Sequence, residues 1–185
     1  TIQKPEMNVY YSNELEPANH TICTVLNSNQ MECPSPAINS KFYEIVRSSS
    51  GKLSTAKPQA IMKVGFTMDS VESMQDLEKY FHSLRTQMVY VEDPQVFTFP
   101  NRIKTYKGDT LVIEGENLNR ASDETDVTVT IGTRLCNVTS LTMTQLVCTP
   151  PEVQPANTDE NGVQLRDINL PLVVVKIGKS LKFPL

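Results

Sequence analysis

Apolar and polar residues alternate in short runs along most of this chain, as they do in strands that bury one face. Residues 110–115 are one such run, and residues 126–132 are another, with Val127, Val129 and Ile131 pointing one way. Further runs begin at Pro94-Gln95-Val96-Phe97, flank Cys136 and Cys148, and occupy residues 170–177 and 181–183. A turn at residues 104–108 and a loop rich in Pro, Asn and Asp at residues 152–162 separate them. Seven short strands with Gly and Pro punctuation predict an antiparallel sandwich in the second half of the chain.

The first half reads as a second copy of the later part of that series. Ile22-Cys23-Thr24-Val25 leads through a polar turn to Gln30-Met31-Glu32-Cys33-Pro34, and Leu135-Cys136-Asn137-Val138 leads to Gln145-Leu146-Val147-Cys148-Thr149-Pro150. Residues 7–10 take the place of 127–131, residues 60–68 that of 170–177, and residues 88–91 close the unit. Nothing in the first copy corresponds to residues 108–118, so it lacks its opening strand or strands, and residue 1 reads as an arbitrary start. Repeated units imply repeated domains, and 185 residues accommodate two of about 90 each. One segment departs from the β pattern: Val71, Met74, Leu77, Phe81 and Leu84 recur at helical spacing, predicting a short helix over residues 71–79 capped by Asp69 or Ser70. Residues 47–55, with three consecutive serines and Gly51, read as a loop at a hairpin tip.

Composition narrows the chemistry. The repeat pairs Cys23 with Cys33 and Cys136 with Cys148; these pairs lie too far apart in sequence for the close ligand spacing of structural zinc sites. Disulfides point to an oxidising compartment. The sequons Asn19-His20-Thr21 and Asn137-Val138-Thr139 agree, and make Asn19 and Asn137 candidates for N-glycosylation. A net charge of −4 provides no basic field for nucleic acid. No run approaches the ~20 apolar residues of a membrane span, and no signal peptide opens the chain, which reads as an internal slice of a larger secreted or membrane-anchored protein. His20 and His82 are isolated, and the acidic groups Asp123, Glu124, Asp126 and Asp159, Glu160 lack the ligand spacing of a calcium loop. There is no catalytic constellation, phosphate loop, metal set or cofactor motif, so the chain reads as no enzyme and as taking no small-molecule substrate.

Residues 108–118, Gly-Asp-Thr-Leu-Val-Ile-Glu-Gly-Glu-Asn-Leu, resemble the opening G-x-x-[VL]-x-I-x-G-x-N-[LF] of IPT/TIG domains, immunoglobulin-like modules of plexins, hepatocyte growth factor receptor kinases and Rel-type transcription factors. Cys136, Val138, Gln145, Cys148 and Pro151 match the hairpin of the cell-surface members. In the first half, Pro5 to Tyr10, Cys23 to Ser28, Met31 to Ile38, Val64 to Val71 and Tyr90 to Pro94 resemble a plexin membrane-proximal IPT domain running directly into the next. The resemblance implies an all-β chain of two tandem IPT/TIG sandwiches, residues 1–93 and 94–185, joined at Asp93-Pro94. It also implies a single-pass semaphorin receptor that binds semaphorin through other domains, this segment being extracellular stalk, with receptor self-association as a further partner. Growth factor receptor stalks and a direct ligand or co-receptor module are the alternatives. The Rel-type relatives are reduced, intracellular and basic, which this chain is not.

Overall fold

The computed structural model describes residues 4–12, 14, 16–44, 57–67, 87–106, 109–166 and 169–185. The helix expected over residues 71–79, the loop at 47–55 and His82 lie outside these. The chain divides into two compact units, Thr1–Val91 and Glu92–Leu185.

The first unit contains β1 (Glu6–Tyr11), β2 (Asn19–Ile22), β3 (Thr24–Asn27), β4 (Gln30–Glu32), β5 (Gln59–Thr67) and β6 (Gln87–Val91). Four of them form an antiparallel sheet in the order β2-β1-β5-β6, while β3 and β4 pair as a separate hairpin. β1 runs against β5 from Glu6↔Thr67 to Tyr11↔Met62. That register stacks Met7 and Val9 with Ala60, Met62 and Val64 on one face, where Cys23 and Phe42 complete the core. Each fully buried Val or Met contributes about 1.5–3 kcal/mol. Asn8, on the opposite face of β1, is also buried. It carries its polarity inward because its Nδ2 donates to Thr67 Oγ1 at 2.6 Å, which offsets the cost of burying an amide.

The second unit holds β7 (Gln95–Val96), β8 (Leu111–Glu116), β9 (Val127–Ile131), β10 (Arg134–Leu141), β11 (Gln145–Thr149), β12 (Val173–Ile177) and β13 (Leu181–Pro184). Their order is β13-β12-β9-β10-β11-β8-β7, antiparallel throughout. The series turns over at β10, which gives Arg134–Cys136 to β9 and Asn137–Leu141 to β11, with a register shift between Val138 and Ser140. Bulges of this kind bend a strand, and here the bend lets the faces of β8 and β11 meet those of β9 and β12. Leu111, Ile113, Val127, Val129, Ile131, Cys136, Leu146, Cys148, Val175 and Ile177 fill the space between. The β9–β10 turn uses Gly132 at φ +55°, the left-handed position a two-residue hairpin requires.

The order β10-β9-β12-β13 in the second unit reappears as β2-β1-β5-β6 in the first. In the first copy the strand that β10 represents is divided at Cys23, with β2 pairing β1 and β3 pairing β4. Among the described residues, no strand stands beside β4 where β8 stands beside β11. One expected boundary differs. β12 starts at Val173 rather than residue 170, because Pro171 has no N–H to give a ladder and the Leu172 N–H donates to Thr158 O at 3.1 Å.

Candidate functional site

The sequence from Gly115 to Leu118 does three separate jobs within one turn of chain. Gly115 lies where β7 crosses closest to β8: a Cβ there would sit 2.2 Å from the Gln95 carbonyl oxygen and 2.8 Å from the Leu118 side chain. Only glycine leaves room for that approach. Asn117 turns the backbone at φ +58°, a left-handed conformation that Asn adopts more readily than most residues. Leu118 then enters the core with no exposed surface, its N–H donating to Met143 O at 3.2 Å.

This turn also holds Glu92 and Asp93. The Asn117 Nδ2 donates to Asp93 O at 3.5 Å, and the Arg120 guanidinium, with its side chain only 10% exposed, lies 3.6 Å from the Glu92 carboxylate. At that distance the pair is ionic rather than hydrogen-bonded, and with Glu92 half-exposed it contributes about 0.2–1 kcal/mol. Pro94 follows, with φ fixed by its ring, and Gln95 and Val96 pair with Glu116 and Gly115. Asp93 and Pro94, expected as linker, are thus tied to the second unit by several weak contacts. Arg120 carried no signal in the sequence, because its partner lies 28 positions away on no shared element.

The two disulfides stand at equivalent points, where the β10-type strand changes neighbours. Cys23 is bonded to Cys33 with Cα atoms 4.2 Å apart, and Cys136 to Cys148 with Cα atoms 5.5 Å apart. Both sulfurs of the second bridge belong to the core, and the Cys23 N–H donates to Pro5 O at 2.8 Å. Asn19 and Asn137 are both exposed. The Asn19 side chain is engaged at each end: Nδ2 donates to Ala37 O at 2.7 Å and Oδ1 accepts from the His20 N–H at 2.9 Å. Asn137 sits on the solvent face of β10, two positions from exposed Thr139, whose Oγ1 donates to Val147 O at 3.3 Å.

The acidic groups serve local backbone. Asp123 caps the 3₁₀ turn Glu124–Asp126, accepting from Thr125 N at 2.8 Å and Thr125 Oγ1 at 2.6 Å, and the Thr125 hydroxyl first among these holds its carboxyl below the usual range. Asp159 accepts from Val163 N at 2.8 Å and Asn161 N at 2.9 Å; the Val163 N–H is the main cause of its lowered pKa. Glu160 is lowered by its pairing with Lys182. Among the described residues no three His, Cys, Asp or Glu side chains converge as a metal set. A groove of about 480 Å³ in the second unit is lined mainly by apolar side chains, including Phe99, Leu111, Ile131, Leu172 and Leu185. No helix among the described residues is long and apolar enough to cross a membrane.

Comparison with known proteins agrees with the turn and hairpin geometry. Residues 97–170 match the IPT/TIG domain family. The chain is 33% identical to Plexin-2 of Caenorhabditis elegans over 185 residues, all of this chain and 9% of that protein. It is 35% identical to Plexin-2 of Caenorhabditis briggsae over 164 residues, 88% of this chain and 8% of that protein. It is 30% identical to Plexin-B3 of Homo sapiens over 165 residues, 85% of this chain and 7% of that protein. The chain therefore spans less than a tenth of these relatives. No solved structure matches it.

Proposed function

We propose, from the premise that this chain is a plexin-type IPT/TIG segment, that it is extracellular stalk of a single-pass semaphorin receptor and acts by holding the shape and spacing of the ectodomain. On this reading residues 1–93 and 94–185 are its two IPT/TIG domains, semaphorin binds elsewhere on the receptor, and no cofactor or substrate is involved. The observation that carries it is the anchoring of Glu92 and Asp93 by Arg120 and Asn117, followed by Pro94 and the β7–β8 pairing. These contacts hold Glu92 to Val96 within the second unit, and a short junction without glycine supports the reading of limited flexibility. Two disulfide-crosslinked sandwiches suit the oxidising extracellular space.

The test is a flexible Gly-Ser stretch inserted between Val91 and Glu92 of the whole receptor, which leaves the Arg120 and Asn117 contacts in place. Semaphorin affinity on cells should stay at the wild-type value, while ligand-induced signalling falls, because a flexible junction broadens the end-to-end distances and lowers the effective concentration of membrane-proximal parts for one another. Unchanged signalling at equal surface expression would reduce the segment to a passive spacer. Loss of semaphorin binding would favour the direct-contact reading instead.

Surface exposure also supports glycans on Asn19 and Asn137 in secreted material. Glycopeptide mapping should find both, and Asn19→Gln with Asn137→Gln should remove two glycan masses. Unmodified peptides at both positions from mammalian-secreted protein would reject this assignment.

A further inference from the structure

We propose that Leu135 is the platform for the first sugar of an N-glycan carried by Asn137, so that the glycan completes the cover of the second unit's outer face and steadies the β9–β10 ladder. The inference rests on the glycan assignment at Asn137 and not on the stalk reading. Strand alternation sets the geometry. Cys136 points into the core at 2% exposure, so its β10 neighbours Leu135 and Asn137 both point to solvent. Thr139, which completes the sequon, is exposed as well. Residues two apart on a strand stand about 6.5 Å apart, within reach of a sugar ring joined to the Asn137 amide.

The cover of this face stops one strand short of Leu135. β9 pairs with β10 at Thr130↔Leu135 and with β12 at Thr130↔Val174, so these three side chains form one row across the sheet. Val174 has no exposed surface and Thr130 is half-buried, whereas Leu135 is 59% exposed. The loop between β11 and β12 supplies the cover. Its Glu160 pairs with Lys182 of β13, and it approaches the β9–β10 turn so closely that a Cβ on Gly132 would meet Thr158 Oγ1 at 3.1 Å and Ala156 O at 3.2 Å. Among the described residues of β9, β10, β12 and β13, no other large apolar side chain is exposed.

Position and chemistry identify the occupant. The first sugar of an N-glycan, an N-acetylglucosamine, carries ring C–H groups and an acetyl methyl that can lie on an aliphatic side chain while its hydroxyls stay in water. Fixed to Asn137, it is held beside Leu135 by its own covalent bond, so packing there costs little further ordering. A protein partner would find one open leucine on this face, well short of the apolar patch of a few hundred Å² that marks a protein interface. The glycan itself would stand in that partner's way.

The test compares receptor ectodomains secreted from mammalian cells: wild type, Asn137→Gln, Leu135→Thr and the double variant, threonine being chosen because it keeps the strand preference. Glycopeptide mapping of the wild type establishes whether Asn137 is occupied. Hydrogen exchange of the amides at residues 129–131 and 134–136 should speed about tenfold on loss of the glycan, by a similar factor for Leu135→Thr, and by no more when both are changed. Trimming the wild-type glycan to its first sugar with an endoglycosidase should leave exchange at the untrimmed rate. Effects that multiply in the double variant, an unchanged rate in either single variant, or faster exchange after trimming would overturn the proposal. An unmodified Asn137 would overturn the glycan assignment with it, whereas an occupied Asn137 with independent effects would overturn the packing alone. Neither result bears on semaphorin affinity or signalling in the insertion experiment, so the stalk reading stands or fails separately.

Discussion

Gly115→Ala is expected to destabilise the second unit by about 3 kcal/mol or more, the upper range for overpacking a buried position. The added methyl carbon would stand 2.2 Å from the Gln95 carbonyl oxygen. That neighbour is backbone, so it cannot rotate away as a side chain could. Relief requires β7 to move off β8, which costs the Gln95↔Glu116 and Val96↔Gly115 pairing and displaces Leu118 from the core. Gly178→Ala is the matched control. It has φ +61° but nothing within 4 Å of the added carbon, so it pays conformational strain alone, about 1–2 kcal/mol. For a unit of this size each kcal/mol lowers the melting temperature by about 4–8 °C. Calorimetry should therefore place the Gly115 variant well below the Gly178 variant. An alanine at 115 that melts within about 2 °C of wild type would mean that β7 is not held against β8 as described.

The strands of the second unit were legible because each is half-buried, and half-burial writes a period of two. Val127, Val129 and Ile131 were read as inward and are buried, and Leu111 and Ile113 follow the same rule in β8. The sandwich class and the IPT/TIG resemblance followed from those runs with the Gly, Asn and Leu of residues 115–118. What alternation does not encode is the neighbour. In residues 134–141 the core-facing positions run 136, 138 and then 141, and this break in the period of two at the register shift does not by itself say that the first half serves β9 and the second β11. β1 was legible as a strand but not as one buried on both faces, because Asn8 looks like a solvent position until Thr67 is seen to satisfy it. The start of β12 was misplaced by three residues for the opposite reason: Leu170 and Leu172 carry strand-like apolarity, but Pro171 and the Thr158 carbonyl take the backbone elsewhere. The carboxylates of residues 123–126 and 159–160 were read as solvated loop charge. Asp123, Glu124 and Asp126 are exposed, but Asp159 is half-buried and the Glu160 side chain, paired with Lys182, is only 7% exposed; Asp123 and Asp159 each organise a turn, a role that needs only one carboxylate and one or two N–H groups and so leaves no spacing pattern.

Replacing Cys136 and Cys148 together by alanine is expected to be the other severe change. Opening a loop of this size restores denatured-state entropy worth about 3 kcal/mol in the chain-entropy model. The two sulfurs are also 2% and 0% exposed, so their loss leaves unfilled volume in the core and adds a cavity cost. A domain of ~90 residues has only about 5–13 kcal/mol in total, so the unit loses a quarter or more of its stability. In urea, with a slope of about 1–3 kcal/mol per M, the midpoint should fall by roughly 1–3 M. The equivalent change at Cys23 and Cys33 opens a loop of similar length, sequence separation 10 against 12, so the entropic share is nearly the same. Its packing share should be smaller, because Cys33 is only half-buried. The two double variants therefore separate the contributions: equal losses would mean the crosslink acts through the unfolded chain alone, and the larger loss expected at Cys136 and Cys148 measures what burial adds. A midpoint shift below about 0.5 M at Cys136 and Cys148 would show that the staple at the β10 strand switch is dispensable.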